Sequence, residues 1–117
     1  MVIQSSREIG DVLRRGSRVM GRCMSVVYVV RPDRREIRGA FTTSRSLRPA
    51  VKRNRLKRLM RETFRLNLDR LRGAISQSGV GLDMVMYSNR MPVNVRLKDV
   101  EKDFEEFIDQ IGKTSAE

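Results

Sequence analysis

Between Val51 and Leu71 the apolar residues stop alternating and recur at helical spacing. Leu56, Leu59, Met60, Thr63, Phe64 and Leu71 stand three or four positions apart and, at 100° per residue, cover one face. Asn54, Lys57, Arg58, Arg61 and Arg65 cover roughly the opposite face. A helix of this length with a single apolar stripe must bury it on another layer. Its polar side is abnormal, because a solvated face normally mixes charge signs and here only Glu62 opposes the cluster. Like charges one turn apart each cost a helix ~0.2–0.5 kcal/mol. A polyanion on that face offsets the penalty. Asn54 adds a neutral donor and acceptor that could read a base or a ribose, or simply cap the helix.

The other elements supply the layer. Ser5 and Glu8 stand at capping-box spacing ahead of Ile9, Val12 and Leu13, a short first helix that Gly16 can close in the left-handed conformation. Met24 to Val30 is a β-branched apolar strand, broken by Arg31-Pro32-Asp33. Ile37 to Thr43 reads as a second strand and its hairpin partner. Gly73 follows the long helix, and Leu82 to Tyr87 is a further strand. Val100, Phe104, Phe107, Ile108 and Ile111 form the stripe of a last helix ended by Gly112, with Asp99, Glu101, Asp103, Glu105, Glu106 and Asp109 on its wet side. The fold class is α+β, a two-layer sandwich in the order α-β-β-β-α-β-α, with one strand of the first run not assigned to a segment. At 117 residues this is a single domain spanning 1–117, with an ordered core of about 5–112.

Charge narrows the function. The chain carries 25 basic and 14 acidic residues, and 20 of the basic ones are arginine. Residues 1–72 hold a net +14 and residues 73–117 a net −3, so the excess sits on one part of the molecule. Arginine favours bidentate phosphate contacts and stacking on bases. Histidine is absent, which removes the commonest general base and metal ligand. Asp83 is the only acid inside a strand and has no second carboxylate near it in sequence, so no protein-borne active site is expected. The longest apolar run, Val26 to Val30, is far short of the ~20 residues of a spanning helix. No secretory pattern opens the chain, and the lone Cys23 fits a reducing compartment, so a cytoplasmic protein is expected. The methionines read as packing residues.

Arg53-Asn54-Arg55-Leu56-Lys57-Arg58-Leu59-Met60-Arg61-Glu62 resembles the RNR signature of the protein subunit of bacterial ribonuclease P. The flanks agree. Arg38 to Ser46 resembles the family's glycine strand and the Ser-Lys-Lys after it, Ile9, Leu13 and Gly16 its first helix, and Gly81 to Arg90 its last strand. The resemblance spans about residues 5–110. It implies an α+β sandwich with a left-handed βαβ crossover, and a subunit that binds the catalytic RNA and the 5′ leader of precursor tRNA. It further implies magnesium held chiefly by the RNA subunit, no membrane, and a monomeric protein in a 1:1 complex with ribonuclease P RNA. The alternative is another RNA-binding protein of the same fold, a ribosomal protein or an RNA chaperone.

By the same resemblance the RNA-subunit face is Arg53, Asn54, Lys57, Arg58, Arg61 and Arg65, and the leader cleft is Ile9, Leu13, Tyr28, Phe41, Ser44, Arg45 and Arg90. Departures are visible. Ser46 replaces a lysine, Ala40 a glycine, and Ile9 and Leu13 stand where many members have phenylalanine. Tyr28, Phe41 and Tyr87 are the strand aromatics able to face a cleft; Phe64, Phe104 and Phe107 belong to the core by helical periodicity. With so few aromatics, leader contact is expected mainly through phosphates, from Arg45, Arg90 and backbone amides.

Overall fold

A computed structural model describes residues 2, 3, 5–44, 49–75, 79–90 and 94–116, with side chains through 112. The elements follow as α1 (Ser6–Arg15), β1 (Ser17–Met20), β2 (Ser25–Arg31), β3 (Ile37–Thr43), α2 (Ala50–Ile75), β4 (Gly81–Ser88) and α3 (Leu97–Ala116). This is the expected α+β order, and the unassigned strand is Ser17–Met20. Its four residues are too few for alternation to stand out. Gly73 and Gly112 lie inside helices rather than ending them. Past Gly73 the apolar stripe continues to the buried Ile75, and packing outweighs the ~1 kcal/mol that an interior glycine costs.

The sheet order is β1-β2-β4-β3. β2 is antiparallel to both β1 and β4, while β3 runs parallel to β4. The expected hairpin between residues 24–30 and 37–43 is therefore corrected: β4 lies between those strands. The reason is burial. Every β4 residue from Gly81 to Met86 is buried, so this strand needs a neighbour on each edge and a layer on each face. The turn after β2 crosses the start of β4, where Leu82 donates its N–H to Glu36 O at 3.1 Å. A Cβ on Gly81 would stand 2.6 Å from Arg34 O, so only glycine admits that crossing. β2 takes β1 on its outer edge, and β3 reaches β4 through the α2 crossover.

Strand alternation divides the side chains between two cores. One face carries Val26, Leu82, Met84, Met86 and Ile37 against Leu56, Met60, Phe64 and Leu71 of α2 and Val100, Phe104, Phe107 and Ile111 of α3. The other carries Val27, Ala40 and Val85 against Val12 of α1 and Ile3, flanked by Ile9, Leu13, Val29 and Tyr87. Ser5 caps α1 by accepting the Glu8 N–H at 3.3 Å. Gly16 closes α1 in an extended conformation, not a left-handed one (φ −73°). It is needed for closeness: an added Cβ would stand 2.6 Å from both Val12 O and Val27 Cγ1.

Asp103 corrects the expectation that α3's acids face water. It is buried, and its carboxylate accepts the backbone N–H groups of Arg22, Cys23 and Met24 at 3.0, 2.7 and 3.1 Å. The β1–β2 turn is thereby tied to α3 across the sheet. Burial first, then the Asp103 charge, pushes the Cys23 thiol above its usual value and keeps it protonated at neutral pH. A Cβ on Gly21 would come within 2.4 Å of Asp103 Cγ. Asp103→Ala should cost roughly 2–4 kcal/mol, as expected for losing a charged acceptor of buried donors. Gly21→Ala should lower the urea midpoint in the same direction. Gly10→Ala, with open space at its Cβ, should raise the midpoint, with a gain in stability of ~0.4–1 kcal/mol for a helix glycine replaced without strain. Equal midpoints for the wild type and Asp103→Ala would remove the tie from the account.

Candidate nucleic-acid interface

α2 begins just after Pro49, whose carbonyl accepts the N–H groups of Lys52 and Arg53. A helix start carries partial positive charge and ordinarily attracts acidic residues. Here the first turn has no acid and is followed by Lys52, Arg53, Arg55, Lys57 and Arg58. Helix dipole and side chains therefore add to one positive potential. Asn54, Arg58, Arg61 and Arg65 are exposed, while Arg53 and Lys57 are partly covered. Val51, Asn54, Lys57, Arg58 and Arg61 line an open groove along this face. Leu56 and Met60 point the other way and are fully buried.

The six residues of the expected RNA-subunit face thus share one side of one helix, but they are not equivalent. Arg61 lies with its guanidinium 5.7 Å from the Phe41 ring centroid, a cation–π contact that fixes its direction. Arg65 pairs with Glu62 one turn back, and that hydrogen bond holds the Glu62 carboxyl below its usual range. Glu62 thereby partly answers the charge of Arg65.

The expected leader-cleft residues separate. Ile9 and Leu13 lie on α1, half-buried beside Val27 and Val85. Tyr28 and Phe41 do not join them, which corrects that assignment. Tyr28 packs edge-on to Phe107 of α3 with ring centroids 5.5 Å apart, and Phe41 edge-on to Phe64 of α2 at 5.6 Å. Both belong to the opposite sheet face. The apolar run from Val26 to Val30 does not alternate, so the sequence held no signal for which of its residues faces which layer. Strand pairing settles it. Tyr28 stands beside Met84 and Phe41 beside Met86, while Ser25 and Thr42 stand beside Tyr87.

Tyr87 is therefore the aromatic on the α1 face, partly buried at the open end of the sheet beyond α1. Met20, paired with Ser25 on the same face, is 70% exposed. Arg18, Met20, Tyr87, Asn89 and Arg90 line a small depression of about 50 Å³ at this end. The signal for Tyr87 was its position four residues from Asp83, the one charged residue of an otherwise near-continuous apolar strand. Arg90 is exposed, and its backbone N–H and carbonyl both bond to Ser88 Oγ. Ser44 donates its N–H to Ser88 O at 3.0 Å, which places it at the same end. Arg45 lies outside the described residues.

At the other end of the α1 face is Asp83, 1% exposed and gripped by arginine. Arg38 forks onto it, with Nε to Oδ1 and Nη2 to Oδ2 both at 2.9 Å. Arg31 Nε donates to Oδ2 at 2.9 Å and Arg34 Nη2 at 3.5 Å. Arg38 also reaches Glu8 of α1 at 3.3 Å. Asp83 is thus a structural anchor between β2, β3, β4 and α1.

A one-domain α+β sandwich that presents a basic helix on one side and an open sheet face on the other defines a class, that of small proteins built to face a polyanion. A family model described as Ribonuclease P matches residues 1–112. The ribonuclease P protein component of Pelotomaculum thermopropionicum is 33% identical over 101 residues, covering 86% of this chain and 83% of that protein. That of Finegoldia magna is 31% identical over 99 residues, covering 85% and 80%. The solved Thermotoga maritima ribonuclease P protein superposes with a TM-score of 0.71 at 21% identity, covering 94% of this chain and 96% of that one. A Staphylococcus aureus ribonuclease P protein gives 0.67 at 21% identity, covering 96% and 94%. At such identities the solved structures speak for the fold alone. The chain belongs to the ribonuclease P protein family. It is accordingly a component of ribonuclease P, an endoribonuclease of tRNA processing, with the ribonuclease P RNA as partner.

Two outcomes test this geometry. Arg58→Ala should leave stability within ~0.5 kcal/mol, as for a surface change, and weaken binding to the RNA subunit several-fold. Arg61→Ala should weaken it as much while also losing the ~0.5–1 kcal/mol of an exposed cation–π contact. Melting temperatures and titrations of the two variants check this; a constant RNA affinity in both would make the arginines structural only.

The second outcome concerns pH. Burial pulls the Asp83 carboxyl upward, but hydrogen bonds from Arg38 and Arg31, with the Arg38 and Arg34 charges, outweigh it and hold the carboxyl below its usual value. The stability it supplies is complete above the unfolded value of about 3.9 and is lost as pH falls below that. Asp83→Asn should cost toward the low end of the ~3–5 kcal/mol for breaking a buried pair, because the guanidiniums reach solvent. It should also flatten the acid limb of the stability curve. An unchanged acid limb would contradict the assignment.

Proposed function

We propose that this chain binds the ribonuclease P RNA through the exposed face of α2 and holds the 5′ leader of precursor tRNA on the α1 face of the sheet. The observation that carries the reading is the run Arg53, Asn54, Lys57, Arg58 and Arg61 on the outer side of α2, with Leu56 and Met60 buried beneath. The RNA subunit supplies the chemistry. Among the described residues no group of three or more His, Cys, Asp or Glu could hold a metal ion. Magnesium belongs to the RNA subunit in this reading. The protein acts in the cytoplasm, as a monomer in a 1:1 complex. No helix among the described residues is long and apolar enough to cross a membrane.

The leader track is revised by the geometry above. Ile9 and Leu13 of α1 form one wall, and Tyr87 with Met20 offers a surface for one base. Ser44 and Arg90 lie at the open end, where Arg90 and Arg18 meet phosphates. Tyr28 and Phe41 support the track from beneath by packing. This chain's residues therefore position the leader; they move no proton at the cleaved bond.

Reconstitution with a bacterial ribonuclease P RNA tests the proposal. The expected result is leader removal at magnesium concentrations where the RNA alone is slow, and none from the protein without RNA. The excess affinity for precursor over mature tRNA should fall with salt, at a slope of about −0.7 in log K against log salt for each phosphate contact. Tyr87→Ala should remove a further, salt-insensitive part, within the ~1–3 kcal/mol of one stacked base. Tyr28→Ala should act on stability instead. Leader release by the protein alone, or equal affinity for precursor and mature tRNA, contradicts the division of labour.

A further inference from the structure

The Asp83 cluster holds more positive charge than its anchoring role needs. The fork from Arg38 already engages both carboxylate oxygens at 2.9 Å. Arg31 and Arg34 nevertheless converge on the same Oδ2. Three guanidiniums face two carboxylates, Asp83 and Glu8, and Arg38 alone spans both. The side chains of Arg31 and Arg34 keep 27% and 33% exposure, whereas Arg38 keeps 15% and Asp83 1%. The two surplus cations are therefore the outer ones. Arg34 Nε is buried and has no hydrogen-bond partner. A buried donor left unmade is costly, and so is holding guanidiniums side by side where water is partly excluded. One bound anion relieves the second cost, because the guanidiniums of Arg31 and Arg34 reach solvent.

Placement says which anion. Asp83 and Arg38 stand on the α1 face of the sheet in register with Val29, and Arg31 follows two residues along β2 on the same face. This is the face that carries Tyr87, four residues along β4. At ~3.3 Å per residue the cluster lies roughly 13 Å beyond the base-stacking end. Val12 of α1 closes the middle of that face over Val27 and Val85, so a strand from Tyr87 passes along the partly exposed Leu13 and Ile9 and meets the arginines at the turn between β2 and β3.

We propose that Arg31 and Arg34, set by Asp83, form a phosphate-binding site for single-stranded RNA that receives the upstream part of the precursor leader. The inference rests on the leader reading above and extends it: Tyr87 and Arg90 contact nucleotides near the cleaved bond, and Arg31 and Arg34 a phosphate farther upstream. Arg38 is a positioning residue, because it fixes the carboxylate that orients the other two.

The experiment uses the reconstituted complex and precursor tRNAs whose leaders are shortened one nucleotide at a time. Wild-type affinity should rise in a step once the leader is long enough to reach the cluster, and added salt should remove that step. Arg34→Gln and Arg31→Gln should each abolish the step, lower the salt slope for long leaders by about 0.7, and leave short leaders and mature tRNA unaffected. Direct titration of each variant with the RNA subunit, expected to be unchanged, separates a leader phosphate from one in the catalytic RNA. Melting temperatures are measured alongside; if one variant fails to fold, the wild-type length series and the other variant decide. The site is overturned if wild-type affinity shows no length step, if the step survives in a folded variant, or if affinity falls equally for mature tRNA or for the RNA subunit. If the wild-type complex does not distinguish precursor from mature tRNA at all, it is the leader reading itself that fails.

Discussion

Strand β4 is buried along nearly its whole length, and a strand covered on both faces requires a layer on each side and a partner on each edge. Most of the architecture follows from that requirement. Leu82, Met84 and Met86 demand the α2–α3 layer, while Val85 demands α1. The edges go to β2 and β3, so the chain must cross over through α2 to reach its parallel neighbour. The one charged side chain in the buried stretch, Asp83, is tolerated because arginines from β2, β3 and the turn between them close on it. The central strand thereby sets where the basic helix lies and where the second arginine cluster gathers.

The two helical layers divide the work by their charge. α2 buries Leu56, Met60 and Phe64 and, from residue 50 to residue 65, turns outward a face that no acid but Glu62 interrupts. α1 is shorter and covers only the middle of its sheet face. It leaves Tyr87 and Met20 accessible at one end and Arg31 and Arg34 at the other. Asp103 serves the same division indirectly. By holding the β1–β2 turn against α3 it fixes the end of the sheet where Met20 and Arg90 lie.

Helices and the basic face were legible in the sequence because their periods are long and redundant. Leu56, Met60, Phe64 and Leu71 repeat one signal over many turns, and Arg58 and Arg61 are placed by the same arithmetic. The element order was legible too, once capping at Ser5 and the break at Pro32 were read. Strand partners were not. Ile37 to Thr43 follows β2 closely, and nearness in sequence favours a hairpin, but the burial of β4 is a property of the whole fold and outweighs it. Strand facing was illegible for a different reason. Val26, Val27, Tyr28, Val29 and Val30 are all apolar, so a shift of one residue leaves the pattern unchanged and moves Tyr28 to the other layer. Asp103 was hidden among acids of one helix, and only the turn that meets it distinguishes it from Glu105 or Asp109.

The central claim is that the two sides of this protein face different RNAs. It is tested most directly by tethered hydroxyl-radical cleavage. With Cys23 replaced by serine, a single cysteine is placed at Asn54 on α2 or at Met20 on the α1 face, and an iron chelate is attached to each. The account predicts that the probe at position 54 cuts the ribonuclease P RNA and spares the leader, while the probe at position 20 cuts the leader of bound precursor tRNA. Cleavage of the leader from position 54, or of the RNA subunit alone from position 20, would contradict it.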